Sequence, residues 1–151
     1  AGFGALALAL AHCPALAFLD VGVNRVGDEG MAELARARGG CAALRFVDLG
    51  SNGISAAGAG SLARALERFS ALTHLDLSAN SIGAEGARAL AGVLGACKVL
   101  TALDVRENGV GEEGANVLAG ALRGGCVRGC RLWSGALDAL DDSDEGLFLE
   151  P

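Results

Sequence analysis

Few side chains in this 151-residue chain could do chemistry: five Cys, two His and an acidic series at fixed intervals. A metal centre needs thiolates or imidazoles clustered within reach of one ion. Cys126-x-x-x-Cys130 has no second pair beside it, and His12 and His74 stand far from it in sequence. Neither zinc nor any other cofactor is expected. An odd number of Cys without a paired framework reads as reduced thiols in an intracellular compartment, the cytoplasm or a reducing organelle interior. No Ser-His-acid order, phosphate-binding Gly loop or isolated carboxylate pair stands out. The chain is therefore expected not to be an enzyme.

The acidic series is the regular feature. Asp20, Asp48, Asp76 and Asp104 are each 28 residues apart, and so are Asn24, Asn52, Asn80 and Asn108. Leu16, Leu44, Leu72 and Leu100 keep the same step, as do Leu19, Val47, Leu75 and Leu103. Gly30, Gly58, Gly86 and Gly114 follow it too, with Leu34, Leu62, Leu90 and Leu118 behind them. A fixed period of this length marks a repeat architecture. The first residues, AGFGALALALAHCPA, fit the same frame. Gly2, Leu6, Ala7, Ala9 and Cys13 stand 28 before Gly30, Leu34, Ala35, Ala37 and Cys41. The run thus reads as the second half of a repeat, not as a targeting segment, which would carry a basic start. His12 and Pro14 spoil it as a membrane span, so no membrane insertion is expected. A chain that starts in mid-repeat is expected to be part of something larger.

Leu72-Thr-His-Leu75-Asp-Leu77-Ser-Ala-Asn80-Ser-Ile82-Gly83-Ala-Glu-Gly86-Ala-Arg-Ala-Leu90-Ala91 resembles a leucine-rich repeat of the ribonuclease-inhibitor type. The resemblance covers about residues 2–127. It implies an α/β solenoid, a right-handed β-α horseshoe with a parallel sheet on the concave face and helices on the convex face. The residues themselves point the same way. Leu75 and Leu77 alternate with Asp76, as a strand with one buried face requires. Ala87, Leu90, Ala91 and Leu94 then recur at helical spacing. One such unit cannot bury its apolar side, and stacked units can.

Within that frame the Asn column reads as structural, each amide bonding backbone groups in a turn. Gly27, Ser55, Gly83 and Gly111 fall where helix N-caps belong. Glu29, Glu85 and Glu113 follow in the first turn, where a helix dipole favours acids. Cys13, Cys41, Phe69 and Cys97 share one column, which reads as a buried series of small apolar residues. Repeats are expected over 1–127, as a half unit plus four 28-residue units. Residues 128–151 are expected to hold a cap and a tail. Leu132, Trp133, Ala136, Leu137 and Leu140 are spaced for a short helix over the last repeat. DDSDEGLFLEP follows as an acidic tail with an apolar hook, Leu147-Phe148-Leu149, that either docks onto a neighbour together with Trp133 or stays unstructured.

The non-Leu strand positions should face a partner. They are Phe18, Phe46, His74 and Ala102, then the four Asp, then Gly22, Gly50, Ser78 and Arg106, and last Val23, Ser51, Ala79 and Glu107. Two readings of the Asp column stand: an acidic stripe for a basic partner, or polar positions solvated or bonded to neighbouring side chains. Phe18 and Phe46 form either an apolar anchor or a surface covered by an N-terminal neighbour.

Composition narrows the partner class. The net charge is −6, and residues 131–151 hold six acids and one base, which leaves a body of 12 acids and 11 bases. No polyanion-binding surface is expected, so nucleic acid is excluded as a partner. Ala and Gly exceed a third of the chain and Tyr is absent, so the core must come from close-packed Leu, Val and Ala. The expected function is a protein–protein interaction scaffold or a structural subunit of a larger assembly. The resemblance implies two narrower alternatives. Ran GTPase-activating proteins have similar repeats and an acidic C-terminal tail, and NOD-like receptors sense ligands through similar repeats.

Overall fold

A computed structural model describes residues 2–37, 41–125, 129–136 and 146–150. Among them, five helices alternate with short strands: α1 (Gly2–Leu10), β1 (Phe18–Asp20), α2 (Gly27–Arg36), β2 (Phe46–Asp48), α3 (Ala56–Leu66), β3 (His74–Asp76), α4 (Gly83–Leu94), β4 (Ala102–Asp104), α5 (Gly111–Gly125), β5 (Cys130–Trp133) and β6 (Leu147–Leu149). The strands form one sheet in chain order. β1 to β5 are parallel, and β6 runs antiparallel to β5.

The period of two in each strand and of 3.6 in each helix sets which residues meet. Leu19, Val47, Leu75, Leu103 and Leu132 are buried at the strand centres. Leu34, Leu62, Leu90 and Leu118 meet them from the helices, and Val26, Ile54, Ile82 and Val110 fill the turn. Together they make one continuous core along the stack. α1 belongs to it: Ala7 and Leu10 are buried, and the Phe3 ring lies over Gly30. The N-terminal run is thus a repeat helix, as its register with α2 predicts. Among the described residues no helix is long and apolar enough to cross a membrane.

Glycine sets the distance between helix and turn. A Cβ on Gly86 would lie 2.5 Å from Ile82 Cγ2 and 3.0 Å from Ala59 Cβ, closer than side chains tolerate. The capping expectation needs correction at three of four places. Ser55 is a cap, and its Oγ accepts from the Ala57 N–H at 3.2 Å. Gly27 and Gly83 instead open their helices with φ of 62° and 61°, after Val26 and Ile82, and Gly111 opens α5 with φ of 65°. That left-handed conformation suits glycine because it has no Cβ to clash. The acids of the first turns are where the dipole favours them.

The Asn column is the polar spine of the solenoid. Asn52, Asn80 and Asn108 are buried. Asn80 Oδ1 accepts from the N–H groups of Asn52 and Ile54, at 3.0 and 2.9 Å. Asn80 Nδ2 donates to the carbonyls of Leu49, Leu77 and Ser78. Asn52 repeats the pattern one unit earlier, toward Asn24, Val26, Val21 and Gly50. Each amide therefore ties its own turn to the turn before it, where no strand partner reaches. Asn24 is exposed and bonds only within its own turn through Nδ2, to Val21 and Gly22.

The C-terminal part departs from expectation. Leu132 and Trp133 lie on β5, not on a helix, and β5 adds a fifth parallel strand beyond residue 127. Its register pairs Ala102 with Arg131 and Leu103 with Leu132, a step of 29 instead of 28. One inserted residue shifts every later position by one, so the 28-residue frame finds Arg131 and Trp133 where it needs Leu. Gly129, with φ of 73°, stands just ahead of this strand. The hook is β6: Leu149 is buried against the core and Leu147 packs on it, while Phe148 points outward. Gly146 lies so close to the Trp133 indole that a Cβ would be 2.6 Å from Nε1. The hook thus docks on this chain's own last strand and closes that end of the sheet. Leu137, Leu140 and the acidic run 141–145 lie outside the described residues, as does Cys126.

The thiol column is only partly as expected. Cys41 and Phe69 are buried, but Cys97 is half-buried and Cys13 exposed. Burial raises the Cys41 thiol pKa, against the opposing pull of Arg68, so this sulfur stays protonated and unreactive.

Candidate functional site

The exact 28-residue register of the first four strands turns sequence columns into rows across the sheet. Phe18, Phe46, His74 and Ala102 are neighbours on one row, and Asp20, Asp48, Asp76 and Asp104 on the next. The slipped register of β5 continues these rows with Arg131 and Trp133.

The first row is aromatic over three strands. The rings of Phe18 and Phe46 stack with centroids 4.2 Å apart and planes 3° from parallel. His74 continues the series, 6.1 Å from Phe46 at 30°. Phe18 remains 58% exposed despite this contact. A large apolar ring turned to solvent at the end of such a row is the kind of group that anchors interfaces. At Ala102 the row drops from ring to methyl. The drop leaves a hollow of about 320 Å³, lined by Phe46, His74, Asp76, Asp104, Arg106 and Trp133, with Leu75 and Ala102 as its floor.

The Asp row has a local backbone role at every strand. Asp20, Asp48, Asp76 and Asp104 each accept, through Oδ1, the N–H two residues on, from Gly22, Gly50, Ser78 and Arg106, at 2.8–3.0 Å. The carboxylates are thus bonded to their own turns, not to neighbouring side chains, except at β4. There the Arg106 guanidinium pairs with Asp104, at 2.6 Å between Nη2 and Oδ2. Among the described residues Asp20, Asp48 and Asp76 have no ion pair. The crowding is felt at Asp48. Burial raises its pKa most, the Gly50 N–H opposes this, and the charges of Asp76, Asp20 and Asp104 push it further up.

The structure thus brings Phe18, Phe46, His74, the four Asp and Arg106 onto one face. Glu107 lies in the turn beyond β4 with φ of 55° and is not among the residues that line the hollow. Trp133, which the spacing placed on a cap, joins the face as the far wall of the hollow. Leu147 and Leu149 serve the sheet edge, and Phe148 lies beneath the Arg131 guanidinium, 5.9 Å from its ring centre. The signal for Trp133 was Leu132: one apolar residue 29 positions after Leu103 marks the shifted strand.

Comparison with known proteins agrees with this architecture. A leucine-rich repeat family model matches residues 12–35, 40–63, 71–91 and 96–119, more than half of the chain. No curated protein sequence matches the chain significantly. Among solved structures, the tropomodulin C-terminal domain of Caenorhabditis elegans superposes with a TM-score of 0.68 at 15% identity, over 83% of this chain and 78% of that one. Actin-binding site 2 of leiomodin-1 superposes with a TM-score of 0.66 at 16% identity, over 87% of this chain and 76% of that one. At such identities the likeness is one of fold. With its repeat signature, its column register and its parallel sheet in agreement, the chain belongs to the leucine-rich repeat family.

Proposed function

We propose that this chain is a protein-binding module, one component of a larger assembly, that holds its partner on the sheet face. The observation that carries the reading is the solvent-facing stack of Phe18 on Phe46. Its apolar area gains free energy only when a partner removes it from water. The hollow over Ala102 extends this surface toward Trp133 and gives it shape as well as area. A leiomodin domain of similar fold is an actin-binding site, which is in keeping with a binding role.

The test is affinity capture from a native lysate with three proteins: wild type, Phe18→Ala plus Phe46→Ala, and the convex-face variant Arg88→Ala. The reading expects a complex that survives Arg88→Ala and is lost in the double variant, with the melting temperature of the latter nearly unchanged. A complex indifferent to both phenylalanines would refute the sheet face as the binding surface. Stimulated GTP hydrolysis by a Ran-type GTPase would redirect the reading to that family.

A further inference from the structure

Resting on that reading, the hollow also says what kind of partner residue it takes. We infer that the hollow between His74 and Trp133 receives an arginine side chain from a partner segment that places an apolar residue on the Phe18–Phe46 stack.

Three observations lead there. The first is size: about 320 Å³ over an Ala102 and Leu75 floor holds one long side chain, not a folded element. The second is the wall chemistry. An indole and an imidazole line it, from the strands on either side of Ala102, and a guanidinium stacks on aromatic ring faces while an ammonium stays hydrated. The third is charge. Asp104 is neutralised by Arg106, whereas Asp76, on the same wall, has no cationic partner among the described residues. Its Oδ1 is held by the Ser78 N–H at 2.8 Å, which fixes the carboxylate while a second oxygen remains for a charge-assisted bond. The Arg131 guanidinium lies over the Phe148 ring. The field grows more negative toward Asp48 and Asp20, so an incoming cation is drawn to the Asp76 side.

The distance to the aromatic stack follows from the sheet. About two and a half strand spacings, roughly 12 Å, separate the middle of the Phe18–Phe46 pair from Ala102. An extended chain covers that in about four residues.

Trp133 is the single tryptophan, so the chain gives one indole N–H resonance, from a residue that lines this hollow. The probe is the peptide acetyl-Leu-Gly-Ser-Gly-Arg-Gly-amide, titrated against the full chain. Control peptides carry citrulline or glutamate in place of arginine, or glycine in place of leucine. The expected result is a saturable indole shift with the arginine peptide, with about tenfold weaker binding for citrulline and none for glutamate. Asp76→Asn should weaken the arginine peptide to the citrulline level. The amide oxygen can still accept the Ser78 N–H, so this variant should fold. Asp20→Asn, at the far end of the row, should change little. Equal affinity for arginine and citrulline, tighter binding of the glutamate peptide, or no saturable shift with arginine would each overturn the inference. Equal affinity for arginine and citrulline that still falls on Phe18→Ala plus Phe46→Ala would leave the binding face standing and remove only the arginine.

Discussion

Asn80→Ala should be among the most damaging single substitutions in this chain, although it removes no charge and few atoms. Two buried N–H groups, of Asn52 and Ile54, lose their acceptor, and three carbonyls, of Leu49, Leu77 and Ser78, lose a donor. Carbonyls have a second lone pair and neighbouring donors, so the two N–H groups set the scale. A buried polar group left unpaired costs about 1–3 kcal/mol, which gives about 2–6 kcal/mol for the pair. Asn24 provides the internal control. It is exposed, and its two bonds stay within its own turn, so Asn24→Ala should cost about 1 kcal/mol or less. Urea unfolding followed by circular dichroism at equal protein concentration compares the two. If Asn80→Ala unfolds at the wild-type midpoint, or if the two variants fall equally, the account of the Asn spine is wrong.

Further consequences are as direct. Arg68 donates to the carbonyls of Leu34 and Ala35 at the end of α2, at 2.8 and 3.3 Å, so Arg68→Ala should destabilise by about 1–3 kcal/mol in the same unfolding assay. Gly86→Ala should overpack the helix–turn contact and cost about 1–3 kcal/mol. Gly92→Ala, in the same helix with nothing within 4 Å of its Cβ position, should instead stabilise by about 1 kcal/mol. Asp48 has a pKa raised chiefly by burial and further by its neighbouring carboxylates. The folded state therefore holds this proton more tightly than the unfolded chain. The contribution of Asp48 to stability is thus present in acid and is lost as pH rises through the raised pKa. Asp48→Asn should accordingly stabilise at neutral pH, by less than about 1 kcal/mol, and the gain should vanish in acid; a gain that persists at low pH would contradict this.

The repeat was legible because its physics is local and repeated. Leu75 and Leu77 against Asp76, then Leu90 and Leu94 at helical spacing, say strand and helix without any distant information. The step from Asn52 to Asn80 says that the units stack in register. The sheet face was legible for the same reason: register puts Phe18 beside Phe46, whatever binds there. The end of the sheet was not. A single inserted residue moves Leu132 and Trp133 out of the 28-residue frame, and β6 pairs with β5 across 13 intervening residues that carry no periodic signal. The role of the Asp row was half-legible. Its position on the exposed face follows from alternation, but the bond to the N–H two residues on depends on the turn geometry after each strand. The same turn puts Val23, Ser51, Ala79 and Glu107 at positive φ, which strand alternation does not anticipate.

Hydroxyl-radical footprinting of the chain in complex with its captured partner tests the binding face most directly, because it reads side-chain exposure residue by residue. Labelling should fall at Phe18, Phe46, His74 and Trp133 on complex formation, while Leu8 and Val117, exposed on α1 and α5, should label as in the free chain. Protection of Leu8 and Val117 with Phe18 and Trp133 unchanged would place the partner on the helices and contradict the account.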